Sequence, residues 1–212
     1  MVDPKQRRAA AAPPPKNELA ALGLVNRHPM HGYALRQAIE HMGLEEWANL
    51  PTSSIYSALR RLARQGAASV TREREGQAPE RNVYHITPAG RERLADHLRH
   101  ALSQVGAEDR LFYLGLAFAD GLPVGEILSQ LERRVARLRE VVTEMKSHQR
   151  KMRKSQPGHP HVLLMSLGGM KHMQVELEIC RRLVDLFRSE PDYFERFEGV
   201  SHGKPGDEAS GQ

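Results

Sequence analysis

The order of motifs between residues 28 and 90 constrains the fold of this chain more than any other feature. Two short amphipathic stretches precede Thr52-Ser-Ser-Ile-Tyr-Ser-Ala-Leu-Arg-Arg-Leu-Ala-Arg-Gln65, and Gly66 follows directly. At about 100° per residue, Ile55, Ala58, Leu59 and Leu62 share one stripe. Ser53, Ser57, Arg60 and Arg64 fall on the opposite side, with Tyr56 and Arg61 on the flanks. The pattern predicts a helix that packs on two earlier helices and keeps one polar face outside. Thr52 reads as its N-cap and Gly66 as its C′ stop. Next come Ala68–Arg74, a tip of Glu75-Gly-Gln-Ala-Pro-Glu80, and Arg81–Thr87. Val70, Val83, Tyr84 and Ile86 support two strands, and Gly76 and Pro79 mark the turn between them.

Three short helices followed by a charged hairpin form the pattern of a winged helix-turn-helix, a fold that reads a DNA groove with its third helix. Ser53, Ser57, Arg60 and Arg64 are placed to meet the groove and base edges. Thr52 and Ser54 add hydroxyls and backbone N–H groups at the helix start. Tyr56, Arg61, Arg72, Arg74 and Arg81 are assigned to the phosphate backbone. The charge bias is modest. From Thr52 to Arg93 the bases are Arg60, Arg61, Arg64, Arg72, Arg74, Arg81, Arg91 and Arg93, against Glu73, Glu75, Glu80 and Glu92. Glu75 and Glu80 oppose deep entry of the tip, which leaves the arginines to touch phosphate. Surface arginines on a lone helix are ordinarily just solvated; here the adjoining hairpin favours the DNA reading.

His28-Pro-Met-His-Gly-Tyr33, Ser54-Ile-Tyr56, Ala58-Leu-Arg-Arg-Leu62 with Gly66, and Tyr84-His-Ile-Thr-Pro-Ala-Gly90 together resemble the PadR family of bacterial transcriptional regulators. The match covers about residues 18–104. Ser53 stands where the family usually has Gly, and Ser57 where it usually has Pro. The remainder resembles the longer helical C-terminal domain of the virulence-activator-like branch. The resemblance implies a dimeric regulator, usually a repressor of nearby genes, often relieved by a small molecule. It also places the family's recognition-helix tyrosine at Tyr56, contacting the DNA backbone or bracing the helix. His31-Gly-Tyr33 is expected to open the second helix, with Gly32 easing the entry and Tyr33 packing in the domain.

The chain is mostly α, with a domain plan readable from its punctuation. Residues 1–16, with Arg7-Arg8 and Pro13-Pro-Pro15, read as a disordered basic and Pro-rich tail. Residues 17–104 form the winged helix-turn-helix domain, with Asn17 capping a first helix and a second helix near His31–Met42 burying Leu35, Ala38 and Ile39. Thr87-Pro88 supplies N-cap and N1 for a fourth helix, whose stripe of Leu94, Leu98, Ala101, Leu102 and Val105 is expected to begin the dimer contact. Residues 105–198 read as a helical dimerisation domain, and 199–212 as a disordered tail. Within it Val124, Leu131, Leu138, Met145 and Met152 recur every seven residues, the seam of a long helix near 124–154. A second long helix, about His161–Arg188, returns with Leu163, Leu167, Met170, Leu177, Val184 and Phe187. Gly168-Gly169 suits a close helix approach or a bend. Two antiparallel helices cannot cover such wide apolar faces alone, so a homodimer is expected.

The net charge of +5 suits a polyanionic partner. The single cysteine, Cys180, excludes an internal disulfide framework and reads as a buried small hydrophobe. No apolar run reaches the roughly 18 residues of a membrane span, and no signal-peptide core is visible, so a cytoplasmic protein is expected. The cluster His148, Arg150, Lys151, Arg153 and Lys154 reads as a solvated helix end. Gly-x-Ser-x-Gly, a Walker phosphate loop and His-Glu-x-x-His are all absent, so no enzyme, cofactor or metal is expected. The pairs His28/His31, His97/His100 and His159/His161 lack a completing ligand set. Trp47, between the second and third helices, is the one effector-contact candidate, acting with the partner's C-terminal helices; packing into the core or a dimer interface is its simpler role. The resulting reading is a regulator that binds double-stranded DNA as a homodimer and responds to a small-molecule effector. The alternative is a winged-helix and helical protein-interaction module without specific DNA binding.

Overall fold

Helix α1 (Lys16–Arg27) is the hub of the first of two compact units, Met1–Leu122 and Pro123–Gln212, in the computed structural model. The structure describes residues 13–74, 80–105, 109–155 and 160–198. Every residue of α1 from Glu18 to Val25 is buried, so the helix is enclosed on all sides rather than along one stripe. It starts after Pro15 with no side-chain cap, so Asn17 does not cap it. Asn17 lies inside the first turn instead, its Nδ2 3.5 Å from the Ser54 carbonyl oxygen. Lys16, expected to end the tail, already belongs to the helix; residues 1–12 lie outside the described residues.

Strand β1 (Met30–His31) leads directly into helix α2 (Gly32–His41). The His31 ring nitrogen Nδ1 accepts from the Ala34 amide at 3.4 Å, so the His-Gly-Tyr motif does open this helix. Leu35 and Ile39 are buried, whereas Ala38 is only half-buried. Tyr33 does not pack in the domain: it is 68 % exposed, and its hydroxyl accepts from Gln37 Nε2. A tight loop with positive φ at Gly43 and Asn49 then buries Leu44, Ala48 and Leu50.

Helix α3 (Thr52–Arg64) packs on α1 through Ile55, Ala58, Leu59 and Leu62, all fully buried. Gly66 follows with φ +78°, a left-handed stop that glycine adopts without strain. Strands β2 (Ala68–Glu73) and β3 (Arg81–Ile86) pair antiparallel from Ala68↔Ile86 to Glu73↔Arg81. Strand β1 pairs with the other edge of β3, giving the order β1-β3-β2. The turn residues 75–79, with Glu75, Gly76 and Pro79, lie outside the described residues.

Helix α4 (Pro88–Ser103) is capped as its sequence predicts. Thr87 Oγ1 accepts from the Gly90 amide at 3.1 Å and donates to the Gly66 carbonyl at 2.7 Å. One threonine therefore joins the end of α3 to the start of α4. Helix α5 (Asp109–Ala117) and the short 3-10 turn Ala119–Gly121 pack within this unit. Phe118 lies against Gly23 of α1, where any β-carbon would fall 2.4 Å from its ring. Arg27 fastens the same corner through Asp120 at 2.8 Å and the Ala117 carbonyl at 2.6 Å. The first unit thus runs on through these elements to Leu122.

The second unit pairs helices α6 (Val124–Ser155) and α7 (Pro160–Ser189), followed by the short α8 (Glu195–Glu198). Ile127, Leu131, Val135, Leu138 and Val142 of α6 and Leu177, Cys180, Val184 and Phe187 of α7 are buried. Gly168 and Gly169 do not interrupt α7; a β-carbon on Gly169 would sit 3.4 Å from Met145 Cε. Inside this helix pair lies an ion pair that the apolar seam did not announce. Arg134 Nε donates to Glu176 Oε1 at 2.9 Å, with both side chains almost fully buried.

Candidate nucleic-acid interface

Besides the Asn17 contact to Ser54, four polar tethers among the described residues hold α3 by its rim. At its start, the Thr52 amide donates to Glu45 Oε1 at 2.6 Å. Thr52 is therefore not the N-cap; it is the first helical residue, and a carboxylate from the preceding loop takes the cap's work. Hydrogen bonding from Thr52 holds the Glu45 carboxyl below its ordinary pKa. A negative group at this terminus complements the helix dipole. It also occupies the amide that would otherwise be offered to a phosphate.

The second tether is Tyr56, whose hydroxyl donates to the Gly32 carbonyl. Burial raises its pKa, so the phenol stays a neutral donor. A β-carbon on Gly32 would lie 3.4 Å from the Tyr56 oxygen, an ordinary contact. Bracing is thus the Tyr56 contact present within the chain. The third tether is Arg61, which donates to Glu18 of α1, and the fourth is Gln65, which accepts from Arg93 of α4 at 2.8 Å. Sequence reading missed Glu18, Glu45 and Arg93 as supports. Their partners are distant or carried by loops, and no local periodicity marks them.

With the rim held, the outer face of α3 carries Ser53, Ser57, Arg60 and Arg64, all exposed. The structure brings these four together as the helical period predicted. Ser57 Oγ donates to the Ser53 carbonyl and Ser54 Oγ to the Pro51 carbonyl, each at 2.9 Å. A hydroxyl has one proton to give, so these two present acceptor lone pairs outward. The face thus combines acceptors near the helix start with two guanidinium donors further along. Base edges in a major groove offer both complementary types.

The hairpin arginines do not form one patch. Directly paired residues share a face and neighbours alternate. Arg72 pairs with Asn82 and Arg81 pairs with Glu73, so Arg72 and Arg81 point to opposite faces. Arg72 and Arg74 are exposed. Arg81 shares its face with the buried Val83 and is half-buried, with Nε out of solvent. Trp47 is 37 % exposed, and its indole N–H donates to the Met42 carbonyl at 2.8 Å, so it is not a core residue. In the second unit Cys180 is buried as expected, and burial pushes its thiol up to about 11. Among the described residues no cluster of three His, Cys, Asp or Glu side chains could hold a metal, and no helix is long and apolar enough to cross a membrane.

Residues 21–96 match the family described as the transcriptional regulator PadR-like family. No curated protein matches the chain. Similar solved structures include PadR of Bacillus subtilis in complex with operator DNA, at 18 % identity and TM-score 0.34, covering 80 % of this chain and 97 % of that one. The same protein in complex with p-coumaric acid gives 19 % identity and TM-score 0.34, covering 84 % and 99 %. A PadR-like transcriptional regulator from Bacillus cereus gives 18 % identity and TM-score 0.34, covering 82 % and 99 %.

Proposed function

We propose, from the premise that residues 21–96 are a PadR-like domain, that the chain is a sequence-specific DNA-binding transcriptional regulator. It acts as a repressor, binding a two-fold operator as a homodimer, and a small-molecule effector releases it. The observation that carries this reading is the outer face of α3, where Ser53, Ser57, Arg60 and Arg64 stand exposed on a helix tethered along its rim. Each α3 enters a major groove, with half-sites about 10 bp apart.

In this reading Ser53, Ser57, Arg60 and Arg64 meet the groove, with Thr52 and Ser54 beside them at the entry. Arg72 and Arg74 grip phosphate from the exposed part of the hairpin, with Arg81 behind them. Tyr56 sets the helix from Gly32. Trp47 is the side chain assigned to effector contact, since more than a third of it is open to solvent. Leu164, Met165 and Val175 are exposed on α7, where the proposed second copy would cover them.

The test is a salt titration of binding to a duplex that the protein selects from a randomised pool, against a scrambled duplex. The expected result is at least roughly a thousandfold preference, about 4 kcal/mol. Equal, weak binding that fades steeply with salt would leave only a basic surface and favour a protein-interaction module. Replacing Arg72 and Arg74 with Ala weakens both duplexes alike and flattens the salt slope by about 0.9 per lost contact. Arg60→Ala instead changes sequence preference, by about 1–3 kcal/mol at one base position.

A further inference from the structure

Glu18 lies in the first turn of α1 with a side chain only 4 % exposed, yet it is surrounded by cations from two other helices. Arg61 of α3 approaches Oε1 with Nη2 at 2.9 Å and Nε at 3.2 Å. Arg93 of α4 donates to Oε2 at 2.6 Å, and His97 Nε2 lies 3.4 Å from the same oxygen. Arg93 turns its other nitrogen, Nη1, to Gln65 at the C-cap of α3. The chain Arg61–Glu18–Arg93–Gln65 therefore closes a circuit. It leaves the last turn of α3, crosses α1 and α4, and returns to the end of the same helix.

We infer that Glu18 is a positioning residue for DNA recognition, and that Arg61 serves this circuit rather than a phosphate. The inference rests on the DNA-binding reading above. The apolar stripe of α3 decides which side faces the core, but apolar contacts are non-directional and tolerate a small roll. Arginine–carboxylate hydrogen bonds are directional and fix the roll. Glu18 suits the task because its own helix is enclosed on all sides and cannot shift independently. It also pairs with two guanidiniums, each more than a third exposed, and offsets one of the two positive charges that would otherwise attract any polyanion regardless of sequence. Discrimination gains from both effects: the reading face is set, and sequence-independent charge beside it is withheld.

The experiment compares the full-length wild type, Arg61→Met and Glu18→Gln on the selected and scrambled duplexes across a salt series. Circular dichroism and a thermal melt check that each variant is folded. Arg61→Met is expected to keep the wild-type salt slope while operator preference falls roughly tenfold, the worth of one compromised base contact. Glu18→Gln is expected to lose operator preference and steepen the slope on scrambled DNA by about 0.9 for each arginine it releases. A slope flattened by about 0.9 in Arg61→Met would put Arg61 on a phosphate and overturn the inference. A folded Glu18→Gln with wild-type slope and preference would overturn it equally. If Glu18→Gln fails to fold, Arg61→Met decides alone. A wild type that does not discriminate between the duplexes would overturn the DNA reading, and this inference with it.

Discussion

Burial opposes ionisation of Glu18, but hydrogen bonds from Arg61 and His97, with the charges of Arg93 and Arg61, outweigh it. The carboxyl is held below its ordinary value of 4.5. A folded-state pKa below the unfolded one means stability that is full above that ordinary value. It is lost as pH falls through the folded value. His97 is shifted the same way for another reason: burial lowers it from 6.5 despite the neighbouring carboxylate. The unfolded chain then takes a proton near pH 6.5 while the folded one resists, so stability falls as pH drops below 6.5. His100, lowered by burial alone, adds in the same direction. The melting temperature of the first unit is therefore expected to fall in two stages, below about pH 6.5 and again below about 4.5. His97→Gln should flatten the upper stage and leave the lower one. An unchanged upper stage in that variant would assign it to His100 or to another histidine. The second unit contains a buried pair of a different kind. Glu176→Gln leaves Arg134 charged and enclosed, which costs about 3–5 kcal/mol, whereas Arg134→Met with Glu176→Leu regains most of that loss. Urea melts of the wild type, Arg134→Met, Glu176→Leu and the double variant measure the coupling directly.

Two glycines in helices show how much an element depends on its neighbour. Gly90, in the first turn of α4, lies against the Ala67 backbone, and an added β-carbon would fall 1.9 Å from the Ala67 oxygen. Backbone cannot swing aside, so Gly90→Ala is expected to cost about 3 kcal/mol, the upper end for overpacking. Gly168, in the middle of α7, has nothing within 4 Å of its β-carbon position. Gly168→Ala is expected to gain about 0.5–1 kcal/mol from helix propensity. Thermal melts check both, and a loss at Gly168 would mean that a second chain packs there. The contrast bears on what the sequence could reveal. Thr87-Pro-Ala-Gly90, the stripe of α3, Gly66 and the long helices α6 and α7 were readable because each is a local pattern with its own period or cap. The outer face of α3 was readable for the same reason. Strand β1 was not, since two residues have no alternation. Glu45 displaced Thr52 as the cap because a long side chain reached α3 from the preceding loop. Glu18–Arg61 and Arg134–Glu176 join residues some forty positions apart, beyond any local period. That Arg72 and Arg81 point to opposite faces of the hairpin was not legible, because it depends on the strand register.

At the scale of the whole molecule, the proposed DNA-binding function gives each chain one reading face, in its first unit. A single face of this size meets only a few base pairs, and sequence-independent phosphate contact rewards every DNA equally. In the proposed homodimer, two copies related by a two-fold axis would read two half-sites and turn modest per-site discrimination into a specific operator. Leu164, Met165 and Val175 are apolar side chains exposed along α7 and available to such a pairing. Replacing Leu164 and Met165 with Asp is therefore expected to halve the mass measured by light scattering while leaving the first unit folded. The same logic fixes the DNA geometry. If two α3 helices enter successive major grooves on one side of the duplex, their centres lie about 10 bp apart. Inserting about 5 bp between the half-sites turns one of them to the far side of the helix. A rigid dimer then engages one half-site only, and affinity should drop to that of the monomeric Asp variant. Inserting about 10 bp restores the facing but doubles the span. Recovery at about 10 bp would identify a flexible linkage between the reading faces, and continued loss a rigid one. Equal binding to all three spacings would show that the copies read DNA independently and would remove the two-fold operator from the proposal.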